Sequence, residues 1–314
     1  MAKILLINPD EKFSDPVLKR WILANPQHDL VLAEKNGLVE TEAIAAHPDA
    51  EVLLCTYGNY SAQVLKGLPK LRAVIATTTA MEYVDLKYCQ EKAIEFSNTR
   101  GYTGTAVAEH LLALLLALAR KLALVTQMAT EIANEQVLGT ELMAKTLGIL
   151  GYGHIGKQFA RMAQALGMKV LVYNRSLVNS PEVQQVALAE LLARAEILAC
   201  VLPLNAETHH LMNPERLALL PRGALVVSTS PEEIFDLPSI SSLLSSGALG
   251  GVGLDLHSPH PELYKLPNFI ATRTKAWYTK ECVERRTQSF LGTLDKLLTK
   301  QQLHGTPFPN KILR

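Results

Sequence analysis

The residues with the plainest chemistry are Gly151-Tyr152-Gly153-His154-Ile155-Gly156. Three glycines at this spacing suit a diphosphate. The first permits a tight turn, the second lets backbone N–H groups approach the anion, and the third lets the following helix pack close to its sheet. The helix start then points its positive end at the phosphates. Such a motif is informative only in context, between a strand and a helix of one βαβ unit. Here an apolar run at 146–150 precedes it. Lys157, Phe159, Met162 and Leu166 follow at helical spacing, and a second β-rich run ends at Tyr173. A dinucleotide site over Gly151, Tyr152, Gly153, His154, Ile155 and Gly156 is expected.

The end of the second strand selects the dinucleotide, because a carboxylate there accepts hydrogen bonds from the ribose 2′-hydroxyl of NAD and repels a 2′-phosphate. This chain has Asn174-Arg175-Ser176. With no carboxylate, and with a guanidinium and a hydroxyl able to donate to a phosphate, NADP is expected over NAD. The plainer alternative is that Arg175 is an ordinary solvated arginine.

Elements must hold these residues. Short β-rich runs at 4–7, 30–32, 52–55 and 73–76 alternate with helical patterns, the signature of parallel βα units. A second series runs through 146–150, 169–173, 197–202, 224–227 and 251–254, as in a doubly wound sheet. Between them, 105–133 reads as one long helix, apolar on more than one face and therefore covered by more than its own sheet, with a subunit interface as the expected cover. A last helix is expected over 279–300, followed by a polar tail that packs back on the first domain.

Composition narrows the function classes. With 314 residues, 48% of them hydrophobic, the chain can bury two cores. Its 31 Lys and Arg against 30 Asp and Glu provide no broad field for nucleic acid or an anionic membrane. A small-molecule ligand is expected instead. Cys55, Cys89, Cys200 and Cys282 show no metal-ligand spacing and read as buried thiols, so no metal and a cytoplasmic location are expected. The N-terminal apolar run is too short for a secretory signal, and 111–119 is about half of a membrane span.

Several stretches together resemble the D-2-hydroxyacid dehydrogenase family. They are Asn98-Thr99-Arg100-Gly101-Tyr102, Ala106-Val107-Ala108-Glu109-His110, Lys145-Thr146-Leu147-Gly148 into the glycine motif, Val201-Leu202-Pro203-Leu204, 219–227, 251–255, Leu266-Pro267-Asn268, Ala276-Trp277-Tyr278-Thr279 and Gly305-Thr306-Pro307. The resemblance implies an α/β protein of two Rossmann-like domains with parallel sheets. A discontinuous, flavodoxin-like substrate domain would span 1–100 plus 280–314, and a dinucleotide-binding Rossmann domain with a dimerisation helix would span 101–279. It implies a homodimer, a ligand held in an interdomain cleft, and Ser176, Pro203, Thr229 and Asp255 as further cofactor contacts.

The family's reaction uses an arginine to hold the substrate carboxylate, a histidine as acid/base and a glutamate that supports the histidine. At the matching positions this chain has Pro231, Thr274 and His260. Its substrate loop, Thr77-Thr78-Thr79-Ala80-Met81-Glu82-Tyr83, replaces a glycine-containing turn. Three readings follow. One is an NADP(H)-linked oxidoreductase with a rebuilt site, in which His260 and Lys275, or Arg273 and Tyr278, move a proton or bind an anion. Another is a noncatalytic nucleotide-binding sensor or interaction module. The last is an ordinary 2-hydroxyacid dehydrogenase.

Overall fold

A computed structural model describes residues 1–8, 13, 15–34, 40–126 and 137–299. The chain divides into two compact units, Met1–Tyr102 with the chain from Thr279 onward, and Thr103–Tyr278.

The first unit holds one parallel sheet of β1 (Lys3–Asn8), β2 (Asp29–Glu34), β3 (Val52–Cys55), β4 (Ala73–Ala76) and β5 (Glu95–Asn98), in the order β2-β1-β3-β4-β5. Its central strands read as unbroken apolar runs because helices cover both faces. One face is closed by Val17, Leu18 and Trp21 of the Asp15–Ala24 helix, with Phe290, Leu291, Leu294 and Leu297 of the Lys280–Leu298 helix. Trp21 Nε1 donates to Asp295 Oδ1 at 2.6 Å and locks the two helices together.

The second unit holds β6 (Thr146–Leu150), β7 (Lys169–Tyr173), β8 (Gln184–Gln185), β9 (Ile197–Cys200), β10 (Ala224–Ser228), β11 (Leu249–Leu256) and β12 (Phe269–Arg273). They are all parallel, in the order β12-β11-β10-β9-β6-β7-β8. The strand order reverses between β6 and β9, and sheets of this type bind ligands outside the carboxyl ends of the strands at such a reversal. The expected α/β architecture with two parallel sheets is therefore present.

The segment expected as one helix over 105–133 is two helices, Gly104–Ala119 and Leu122–Thr126, and 127–133 lies outside the described residues, as does Gly305-Thr306-Pro307. The break falls at Lys121, whose φ of +50° leaves the right-handed helical region. One side of the first helix is covered from within the unit, while Ala113 and Leu116 on it stay exposed. Leu111, Leu114, Leu115 and Leu118 pack with Leu147, Ile149, Phe159 and Ala163 of the sheet and of the His154–Ala165 helix. Gly251 and Gly253 allow the approach, since a Cβ there would stand 3.1 Å from Leu118 Cδ2 and 3.2 Å from Leu114 Cβ.

Candidate functional site

The glycine turn leaves β6 at the strand-order reversal. Gly151 takes φ +97°, closed to most side chains, and a Cβ on it would meet the Val201 carbonyl at 2.9 Å. A Cβ on Gly156 would stand 2.2 Å from the Gly151 carbonyl oxygen, so the helix lies directly on the turn. A Cβ on Gly153 would meet nothing within 4 Å. That opening at the N-terminus of the His154–Ala165 helix fits a diphosphate, and the cradle suits a dinucleotide.

Beside it, Tyr152 is buried and its N–H donates to Asn174 Oδ1 at 3.1 Å, while Asn174 Nδ2 donates to the Ser176 carbonyl at 3.0 Å. The asparagine thus ties the glycine turn to the end of β7 and presents no carboxylate. Arg175 and Ser176 are exposed, and Arg175 Nη1 pairs with Glu207 Oε2 at 3.1 Å. His154 is exposed and packs where a Cβ on Gly104 would stand, while Ile155 is half-buried. The Pro203 carbonyl accepts from Thr208 Oγ1 at 2.7 Å, and half-buried Thr229 follows the end of β10.

The positions expected to do the chemistry follow β10, β11 and β12, on the same carboxyl edge. Asp255 is 7% exposed and anchors them. Its Oδ1 accepts from Thr272 Oγ1 at 2.6 Å and from Lys275 N at 3.0 Å, and its Oδ2 accepts from Ala276 N at 3.0 Å. His110 Nε2 lies 2.8 Å from Thr272 Oγ1 and extends the network into the Gly104–Ala119 helix. Burial lowers the His110 pKa from 6.5 against the opposing pull of Asp255. The anchored loop holds Thr274 at φ +51°, a costly conformation for a β-branched residue, and its hydroxyl donates to the Leu256 carbonyl at 3.2 Å. Lys275 is exposed, with its ammonium 5.5 Å from the Tyr278 ring, and Arg273 donates to the His257 carbonyl at 3.3 Å.

His260 is half-buried and lies between two carboxylates, Nε2 at 3.4 Å from Glu232 Oε1 and Nδ1 at 3.6 Å from Glu262 Oε1. Sequence reading passed over Glu232, which directly follows Pro231. Its other oxygen accepts from His257 N at 2.9 Å and from Ser258 N at 3.2 Å. Burial pushes its pKa up, but the hydrogen bonds from Ser258, His257 and His260 outweigh this and leave it below 4.5. An acid–imidazole pair is therefore present, with the imidazole on the β11 loop and the carboxylate on the β10 loop. Its one sequence signal was the charge at Glu232 beside the lost arginine, which has no meaning until the two loops are paired. Among the described residues no group of three His, Cys, Asp or Glu could hold a metal, and no described helix is long and apolar enough to cross a membrane.

Residues 112–273 match the model of the D-isomer specific 2-hydroxyacid dehydrogenase NAD binding domain. The chain is 30% identical over 241 residues to a glyoxylate reductase of Thermococcus litoralis, covering 71% of this chain and 72% of that protein. It is 29% identical over 272 residues to a hydroxypyruvate reductase of Thermotoga maritima, covering 82% and 88%. Among solved structures, an acyclic imino acid reductase in complex with NADPH and D-Arg superposes with a TM-score of 0.85 at 25% identity, over 97% of this chain and all of that one (100%). D-2-hydroxyisocaproate dehydrogenase shares the fold, with a TM-score of 0.87 at 22% identity over 96% and 98%.

Proposed function

Because the chain belongs to the D-isomer specific 2-hydroxyacid dehydrogenase family and carries its NAD-binding domain, we propose that it is an NADP(H)-linked oxidoreductase with a non-standard active site. The observation that carries this reading is the shared carboxyl edge. One parallel sheet presents both the open glycine cradle and the Glu232–His260 pair. The sequence resemblance matches Pro231 and Thr274 to the family's arginine and histidine, which this reading takes as the departure from the standard site. Gly151–Gly156, Asn174, Ser176, Pro203, Thr229 and Asp255 form the cofactor side, while Arg175 is paired with Glu207 in solvent. His260 and Lys275 are the candidate proton-handling and anion-holding groups.

A bound reduced nicotinamide supplies a hydride, and the protein must then satisfy the atom left behind. Addition to a C=O bond leaves an alkoxide that needs a proton, and a threonine hydroxyl is a poor donor near neutral pH. Either His260, held by Glu232, delivers that proton, or the acceptor is an iminium, whose reduction gives a neutral amine and needs none. The NADPH-bound imino acid reductase supports including C=N acceptors among the substrates. The noncatalytic alternative draws on Thr274, whose hydroxyl is already bonded to the Leu256 carbonyl. A homodimer is part of the proposal. An apolar groove of about 480 Å³, lined by Leu118, Leu124, Leu266 and Ile270, lies beside exposed Leu122 and Val125 and offers it a surface.

The test is fluorescence titration with NADPH and NADH, then turnover on 2-oxo acids with and without added amine. Tighter NADPH binding is expected, with NADPH oxidation by at least one 2-oxo acid and amine combination and little on glyoxylate or hydroxypyruvate alone. Tight binding with no turnover on the whole panel would transfer the assignment to the noncatalytic reading.

A further inference from the structure

We infer that the 2′-phosphate of the bound dinucleotide is read by Lys157 and Arg161, on the helix that follows the glycine turn, and not by Arg175. This rests on the NADP(H) reading above. A pocket of about 360 Å³ opens beside Asn174, at the end of β7 where the ribose hydroxyls of a dinucleotide are selected. Its lining includes Lys157, Arg161, Asn179 and Ser180, and its one acidic member is Glu182. Asn174 belongs to the same lining, and its amide is fixed by the bonds to Tyr152 N and the Ser176 carbonyl.

Lys157 and Arg161 lie four residues apart on one helix, so their side chains share a face. Two cations in that relation repel each other, and an anion between them removes the repulsion. The Lys157 ammonium stands 5.9 Å from the Tyr152 ring, and among the described residues neither cation has a carboxylate within 4 Å. A phosphate in the pocket meets two cationic donors, a serine hydroxyl and an asparagine amide, with one carboxylate in opposition. Arg175 offers less. Its side chain is 81% exposed and already paired with Glu207, so a phosphate held there would face that carboxylate in open solvent.

The experiment uses the full chain as wild type, Lys157→Ala/Arg161→Ala and Arg175→Ala. Adenosine 2′,5′-bisphosphate and AMP are titrated by calorimetry, NADPH and NADH by fluorescence. The substituted side chains are exposed and alanine favours helix, so folding should be unchanged by circular dichroism. The double variant is expected to lose roughly 10-fold or more in affinity for the bisphosphate and for NADPH, with AMP and NADH unchanged within about 2-fold. Arg175→Ala is expected to keep the preference. If Arg175→Ala abolishes the preference and the double variant retains it, the assignment to the helix is overturned while the NADP(H) reading stands. If the wild-type protein binds AMP and the bisphosphate equally, and NADH as tightly as NADPH, both fall together.

Discussion

Glu232 shows how one side chain can do two jobs. Its carboxylate closes the turn after β11 through two backbone N–H groups and also meets the His260 ring. Glutamine has the same shape, but an amide N–H₂ in place of one oxygen cannot accept from both sides. Glu232→Gln should therefore cost about 1–3 kcal/mol at neutral pH, measurable by urea unfolding. The pH dependence has a definite sign. The folded pKa lies below 4.5, so the carboxylate's contribution is fully present above that value and is lost as pH falls through the lower folded pKa. The gap between wild type and variant should narrow in acid. A gap that stays constant down the acid range would show that the charge is not what holds the turn.

At the scale of elements, the glycine turn separates two kinds of close approach. Gly156→Ala puts a Cβ 2.2 Å from the Gly151 carbonyl, so the helix must back away from its own turn. A stability loss of about 1–3 kcal/mol is expected, together with loss of nucleotide binding. Gly153→Ala meets no protein atom, so its melting temperature should stay near that of wild type while NADPH affinity falls, because the methyl group occupies the diphosphate's place. Equal destabilisation by the two variants would contradict the cradle. This turn was readable from sequence because strand, glycines and helix are contiguous. Central strands such as β3 and β9 were readable as unbroken buried runs. Strand β5, with Glu95 exposed at the sheet edge, and the half-buried edge strand β12 lacked that pattern and were missed. The Glu232–His260 pair was illegible for another reason, since the residues lie 28 apart and meet only once their loops lie side by side. The helix end at Arg120 was hidden as well, because a left-handed lysine carries no mark in the sequence.

At the scale of the whole molecule, the chain enters its first unit, leaves it at Tyr102 and returns at Thr279. The hydrophobic clusters of the second unit draw only on residues between those points. A fragment spanning 103–278 is therefore expected to unfold cooperatively and to bind NADPH. The fragment 1–102 faces a different situation. Without the Lys280–Leu298 helix, the sheet face of Ile4, Leu6, Val52, Leu54 and Ile75 loses the cover of Phe290, Leu291, Leu294 and Leu297. At about 1.5–3 kcal/mol for each buried side chain, that loss is comparable to the entire stability of a typical domain. Fragment 1–102 alone should not fold cooperatively. The structure also supplies the repair, because the Tyr102 carbonyl accepts from Arg285 Nε at 3.1 Å, so the departing chain end lies against the returning helix. A short glycine linker from 102 to 279 should restore a cooperative thermal transition by circular dichroism. If fragment 1–102 melts as sharply and as high as the linked form, the returning helix is not an integral part of that unit and the discontinuous organisation is wrong.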